Sequence, residues 1–252
     1  MPRYFLEIAY DGTPYHGWQI QPRVNTVQLE IENALTKLNS GNRIPTIGCG
    51  RTDTGVHARQ FFLHFDIEKL PCDEEMFIFK LNRILPHSIG VYRLLEVNPK
   101  AHARFDANSR TYEYHIHYLK NPFLDNRSWN LWSPLDLDAM NIAAAHLLNH
   151  RDFAAFQKSG GNANTSICTV MKAEWVGDDE RLMFTIKANR FLRNMVRAIV
   201  GTLVEVGKGR MSPDEFNAII ASLKRTEAGE SVPADGLFLT NVTYPYLRDQ
   251  LR

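Results

Sequence analysis

Gly48-Cys49-Gly50-Arg51-Thr52-Asp53-Thr54-Gly55-Val56-His57-Ala58 lies between two stretches of strand character. Ile44 to Cys49 runs into it as a short candidate strand. Beyond it, Phe61, Leu63 and Phe65 recur at the two-residue period of a strand. The pattern extends outward on both sides. Toward the N-terminus, Val27, Ile31, Ala34, Leu35 and Leu38 fall at helical spacing, with Asn25 and Gln28 as a candidate capping pair. Before them, Arg3 to Tyr10 alternates, placing Tyr4, Leu6, Ile8 and Tyr10 on one face. Toward the C-terminus, Asp73 precedes a helix carrying Phe77, Leu81, Ile84 and Leu85, and Ile89 to Val97 reads as a further strand. The order is β-α-β-β-α-β, that of a ferredoxin-like unit.

The second half has the same order without a residue-level repeat. Arg110 to Tyr118 alternates as a strand and Asp136 to Leu148 is an alanine-rich helix. Ser166 to Val176 and Arg181 to Ala188 flank the turn Gly177-Asp178-Asp179-Glu180. A helix is expected from about Asn189 to Val206. Ser212-Pro213-Asp214-Glu215 carries the signature of a capping box, and Leu237 to Val242 is the last strand. The expectation is an α+β chain of two fused ferredoxin-like halves, mainly antiparallel, with the boundary near 99–108. The N-terminal subdomain would then span 1–103 and the C-terminal subdomain 104–252, with a cleft between them as the natural site. Two segments have no regular pattern, Tyr10 to Val24 and Gln157 to Thr165.

The composition narrows the classes. With 252 residues, 44% hydrophobic and 23% charged, the chain is of ordinary globular type rather than disordered or fibrous. Cys49, Cys72 and Cys168 are far apart and odd in number, which suits a reducing compartment. Glu7 and Asp11 break up the start of the chain, unlike a secretory signal. The apolar run Ala198 to Val204 is far shorter than the roughly 20 residues of a bilayer span. A formal net charge of +1 hides one asymmetry. Arg181 to Val204 holds no acid, yet it contains Arg181, Lys187, Arg190, Arg193 and Arg197. On the expected helix Arg190, Arg193 and Arg197 would share a face suited to phosphates.

Three segments carry candidate chemistry. In the loop around Asp53, three glycines and the side chains of Arg51, Asp53 and His57 crowd into one connection. Against a plain Asx-turn, that density favours a functional loop, with Asp53 ionised and available as nucleophile or electrostatic partner. On the strand Arg110-Thr111-Tyr112-Glu113-Tyr114, the two tyrosines share a face and either could stack on a base. The third segment is the basic stretch from Lys187 to Arg197. His57, His64, His115, His117 and Cys49 offer metal donors but show no strong ligand spacing. A zinc nucleobase deaminase would require His-x-Glu and Pro-Cys-x-x-Cys, both absent here. Gly207-Lys208-Gly209 is not a phosphate-binding P-loop. Three classes are weighed: an RNA-modifying isomerase, a non-catalytic RNA-binding module and a metal-dependent hydrolase.

Gly50-Arg51-Thr52-Asp53-x-Gly55-Val56-His57-Ala58 closely resembles the catalytic motif of the tRNA pseudouridine synthase A family. Four more segments match in order. They are Tyr10-Asp11-Gly12-Thr13-x-Tyr15-x-Gly17-Trp18-Gln19, Arg110-Thr111-Tyr112-x-Tyr114, Lys187-Ala188-Asn189-x-Phe191 with Met195-Val196-Arg197, and Gly236-Leu237-Phe238-Leu239. The resemblance covers essentially the whole chain. It implies the pseudouridine synthase fold with a central RNA-binding cleft. It also implies isomerisation of uridine to pseudouridine at positions 38, 39 and 40 of the tRNA anticodon stem-loop, in the cytoplasm and by a homodimer. No cofactor or metal is implied. Asp53 would be the essential carboxylate. Tyr112 would stack on the target base, Arg197 would keep Asp53 charged, and Arg51 would enter the RNA helix where the base leaves. Thr54 stands where the family commonly has alanine, and Cys168 where an arginine aligns.

Overall fold

A computed structural model describes residues 1–158 and 165–247. Most of the expected 157–165 loop therefore lies outside the described residues. The structure is of α+β type, and its chain divides into two compact units, 1–108 with 239–252, and 109–238. Residues 104–108 and the last strand's end thus belong with the first unit, beyond the expected boundary at 103.

In the first unit, β1 (Arg3–Tyr10) pairs antiparallel with both β3 (His57–Asp66) and β4 (Ile89–Val97), and β2 (Ile47–Gly48) pairs antiparallel with β3. The end of β9 (Leu237–Thr243) follows β3 in the sheet. Helices α1 (Val27–Leu38) and α2 (Glu74–Ile84) bury Val27, Ile31, Ala34, Leu35, Phe77 and Leu81. Strict alternation fails on β1 and β3 because both sheet faces are covered. Tyr4 stacks on Phe65, which stacks on Phe77 of α2. On the opposite face, Tyr244 meets Phe5 and Phe62 edge-on. Glu7, 3% exposed, is buried there too, ion-paired with Arg93 and hydrogen-bonded by Gln60.

The caps differ in one place from expectation. Asp73 caps α2 as predicted. The cap of α1, however, is Thr26, whose hydroxyl accepts from Leu29 N, and not Asn25. Gln28 is engaged elsewhere: its Oε1 accepts from Ile20 N and its Nε2 donates to Thr46 O. The second strand also shrinks to Ile47–Gly48, since Thr46 N and Oγ1 turn to the buried Glu32 carboxylate.

His64 on β3 is 3% exposed and accepts the Ala103 N–H at Nδ1, 3.1 Å away. The His102 ring lies 4.8 Å from it. Burial, then the positive charges of Arg3 and His102, push its pKa from 6.5 down to about 4 despite Asp66 and Asp106. The unfolded chain takes up this proton near 6.5, the folded chain only near 4. Stability is therefore expected to fall as pH drops through that window, by up to about 3 kcal/mol, and to level off below it. Urea midpoints measured against pH test this, and His64→Gln should flatten the slope.

In the second unit, β5 (Ser109–His117) pairs antiparallel with β8 (Arg181–Ala188), which pairs antiparallel with β7 (Val170–Gly177). A short β6 (Trp129–Asn130) runs parallel to β5. Helices α3 (Leu137–His146), α4 (Met195–Gly207) and α5 (Pro213–Ser222) pack together, and α3 also contacts β7. The capping box of Ser212 and Glu215 forms as predicted. The seventh strand begins at Val170 rather than Ser166.

The largest departure is α4, which starts at Met195 and not at Asn189. Asn189 is tied to strand-side backbone: its N–H donates to Thr169 O and its Oδ1 accepts from Thr169 N. Asn194 then adopts the left-handed conformation, φ 63°, which interrupts a helix. Arg190 and Arg193 therefore lie before the helix, and the expected basic stripe along one helical face does not exist. Instead α4 is buried on nearly every side, from Met195 to Gly207, with Arg197 among its few accessible residues. Among the described residues no helix is long and apolar enough to cross a membrane.

Candidate active site

The Asp53 loop connects β2 to β3 and is gripped by the segment that follows β1. Trp18 N donates to Thr52 O (3.2 Å), and Gly55 N to Tyr15 O (3.4 Å). Between these two grips Val56 N donates to Asp53 O (3.2 Å), closing a turn over 53–56. The Thr52 hydroxyl is 2.9 Å from the Tyr10 hydroxyl, with both residues buried. At the far end of the loop, buried His57 accepts the Gly12 N–H at Nδ1 (3.1 Å), with Asp11 Oδ1 3.2 Å away. Asp53 is half-buried and Arg51 exposed.

Two glycines make this packing possible. A Cβ on Gly12 would sit 2.0 Å from Val56 O. One on Gly17, at φ +87°, would sit 2.5 Å from Thr52 O and 3.2 Å from the Asp53 carbonyl carbon. The gripping segment is itself anchored. Val27 N and Gln28 N donate to the carbonyls of Gly17 and Trp18, so the first turn of α1 finds acceptors there. The Trp18 ring lies 4.2 Å from that of Phe61 on β3.

Tyr112 and Arg197 belong to the second unit. Tyr112 on β5 is half-buried and meets Phe191 edge to face, centroids 5.1 Å apart. Its neighbour Tyr114 is fully buried and donates its hydroxyl to Pro233 O (2.9 Å), while burial raises its phenol pKa well above the usual value. Tyr114 is thus a core residue, and Tyr112 is the accessible member of the pair. Arg197, in the first turn of α4, donates through Nε to Val232 O (2.7 Å), and Val232 N returns a bond to Arg197 O (3.2 Å). Gly201 lets the same segment pass close by: a Cβ there would lie 1.8 Å from Glu230 O.

The side chains considered as metal donors have other work. His64 receives Ala103 N–H, His117 Nδ1 lies 2.9 Å from Ser128 Oγ, and His115 faces Glu113 and the Phe238 ring. Among the described residues no group of three or more His, Cys, Asp or Glu could hold a metal ion. Cys168 is fully buried, and desolvation pushes its thiol pKa up to about 11. Arg190, meanwhile, donates to the carbonyls of Thr165 and Ile167.

Residues 143–245 match the family model described as tRNA pseudouridine synthase, a span that includes Arg197 but not Asp53. Relatives extend the match across the chain. The tRNA pseudouridine synthase A of Bacteroides fragilis is 50% identical over 245 residues, covering 96% of each chain. The chain belongs to the tRNA pseudouridine synthase A family. The protein of that name from Bacteroides thetaiotaomicron is 47% identical, covering 97% of this chain and 91% of its own. That from Parabacteroides distasonis is also 47% identical, covering 97% of both.

In this tRNA pseudouridine synthase A family member, two of the five sequence motifs form one local assembly. The Tyr10–Gln19 segment is the clamp on the Asp53 loop. The Gly236 motif serves β5: Gly236 O accepts from His115 N, and a Cβ would lie 3.0 Å from the Tyr114 ring. Sequence reasoning named neither the Tyr10–Thr52 hydroxyl pair nor the His57–Gly12 bond. Both contacts span more than forty residues, so no local period announces them. The one local signal was the pair Gly12 and Gly17 on either side of Tyr15.

Proposed function

We propose that the chain isomerises uridine to pseudouridine at positions 38, 39 and 40 in the anticodon stem-loop of tRNA, with Asp53 as the essential carboxylate and no cofactor. The observation that carries this reading is the near full-length similarity to tRNA pseudouridine synthase A, 50% in the Bacteroides fragilis relative. The reaction breaks the N1–C1′ bond of uridine, turns the uracil and joins C5 to C1′, with the C5 proton lost and the N1 position reprotonated. Atoms and electrons balance without a donor. An ionised carboxylate suits three first steps: attack at C1′, attack at C6, or removal of the 2′ proton. The target must leave its stack at a cost of a few kcal/mol. A ring such as Tyr112, steadied by Phe191, offsets part of that through stacking worth about 1–3 kcal/mol per base. Arg51, exposed on the loop, enters the RNA helix that the base vacates.

On this reading the protein works in the cytoplasm as a homodimer built from ferredoxin-like halves. The antiparallel order β4-β1-β3 with β2 beyond β3 supports that description of the first unit. Arg197 keeps Asp53 charged. Arg197→Ala is therefore expected to lower turnover of bound tRNA, with tRNA affinity measured alongside as the control. Turnover like wild type would remove this assignment. The reading as a whole is tested by tritium release from tRNA carrying 5-tritiated uridine, in excess chelator and without added cofactor. Release supports it; no release from any tRNA reduces the chain to an RNA-binding relative.

A further inference from the structure

The residue before Asp53 is held at two points, one on its backbone and one on its side chain. Thr52 is fixed by its carbonyl, which accepts the Trp18 N–H, and by its hydroxyl, 2.9 Å from that of Tyr10. Thr52 is 8% exposed and Tyr10 4%, so the pair is shielded from competing water. Tyr10 ends β1, inside an aromatic cluster with Trp18 (6.5 Å) and Phe61 (5.6 Å) that fixes its ring. Its hydroxyl thus projects from rigid sheet structure to the peptide that precedes Asp53. On the other side, the Val56–Asp53 turn and the Gly55–Tyr15 bond close the loop. We infer that the Tyr10–Thr52 hydroxyl pair is a positioning device, which sets where the Asp53 carboxylate stands when it meets the target uridine. This rests on the reading of Asp53 as the essential carboxylate. The physical warrant is that a reacting group displaced by about 1 Å can lose up to about 100-fold in rate while substrate binding elsewhere is untouched.

The test is single-turnover isomerisation with enzyme in excess over tRNA. There the rate constant reports the chemistry and the amplitude reports the folded fraction. Tyr10→Phe and Thr52→Val each remove one hydroxyl with little change of shape. Each is expected to lower the rate constant about tenfold, with the Kd for tRNA within about twofold of wild type. The double variant should lose no more than either single one, because both remove the same bond. Thr52→Ser, which keeps an oxygen at the same place, should restore the rate. Wild-type rate constants with only a lowered amplitude or melting temperature would overturn the inference, as would losses that multiply in the double variant. Asp53→Asn run alongside separates the two levels. If it is inactive while the pair variants are normal, the positioning role alone falls. If it is active, the assignment of Asp53 falls and the inference with it.

Discussion

Asp53→Asn is expected to abolish tritium release, by at least about 1000-fold, in the way that loss of a nucleophile or base removes the step it performs. Asparagine keeps the size and planarity of the carboxylate and removes the charge. It can neither attack carbon nor accept the 2′ proton, so all three candidate first steps fail together. The loop should survive the change. Grips through the backbone of residues 52, 53, 55 and 56 and through the Thr52 hydroxyl remain in the variant. Melting temperature and tRNA affinity are the controls, and both should stay near wild type. Release at the wild-type rate would sink the assignment of Asp53 and move the chemistry elsewhere in the chain.

Gly17→Ala is expected to destabilise the protein by about 2–4 kcal/mol, from left-handed strain together with overpacking against backbone. The strain follows from φ +87°, and the overpacking from Thr52 O 2.5 Å from the added methyl carbon. Neither obstacle is the end of a flexible side chain, so the Asp53 loop has to move or the turn at 17 has to change. Turnover should fall beyond what stability alone accounts for. Gly41 provides the comparison within the same unit. Its φ is +88°, but nothing lies within 4 Å of an added Cβ. Gly41→Ala should cost only about 1 kcal/mol, the strain alone. Denaturation midpoints of the two variants measure the difference. Equal losses would mean that the loop accommodates the methyl group freely.

Elements with strong local signals were readable from residue order. The strand at Arg3–Tyr10, the helix capped by Asp73 and the capping box at Ser212 each follow from neighbours within one or two turns. The start of α4 did not follow. Residues 189–194 have good helical spacing, but Asn189 is claimed by Thr169 and Asn194 turns left-handed, and both facts depend on tertiary partners. The basic stripe failed for the same reason. Around the expected site, residue types marked Asp53, Arg51 and the pair Tyr112 and Tyr114, and the family resemblance singled out Tyr112 and Arg197; what residue order did not carry is that Tyr114 is buried in the core. The clamp from Tyr10, Trp18 and Tyr15 was hidden because it acts mostly through backbone bonds to a distant loop, and backbone donors carry no sequence identity.

Residues 239–252 count with 1–108, so the first unit is interrupted in the chain by the whole of the second. On the ribosome this reverses the common order of events, in which the N-terminal domain folds first. The stretch 109–238 is complete in sequence before Tyr244 emerges. Until it does, the face of the sheet bearing Phe5 and Phe62 lacks its aromatic cover, and Ala103 O lacks the Tyr244 hydroxyl, 2.6 Å away in the folded chain. The nascent protein therefore carries an open apolar sheet face through most of its synthesis. A message cut short just after Phe238 would release a chain that holds the whole of the second unit but leaves the Asp53-bearing unit without its closing segment.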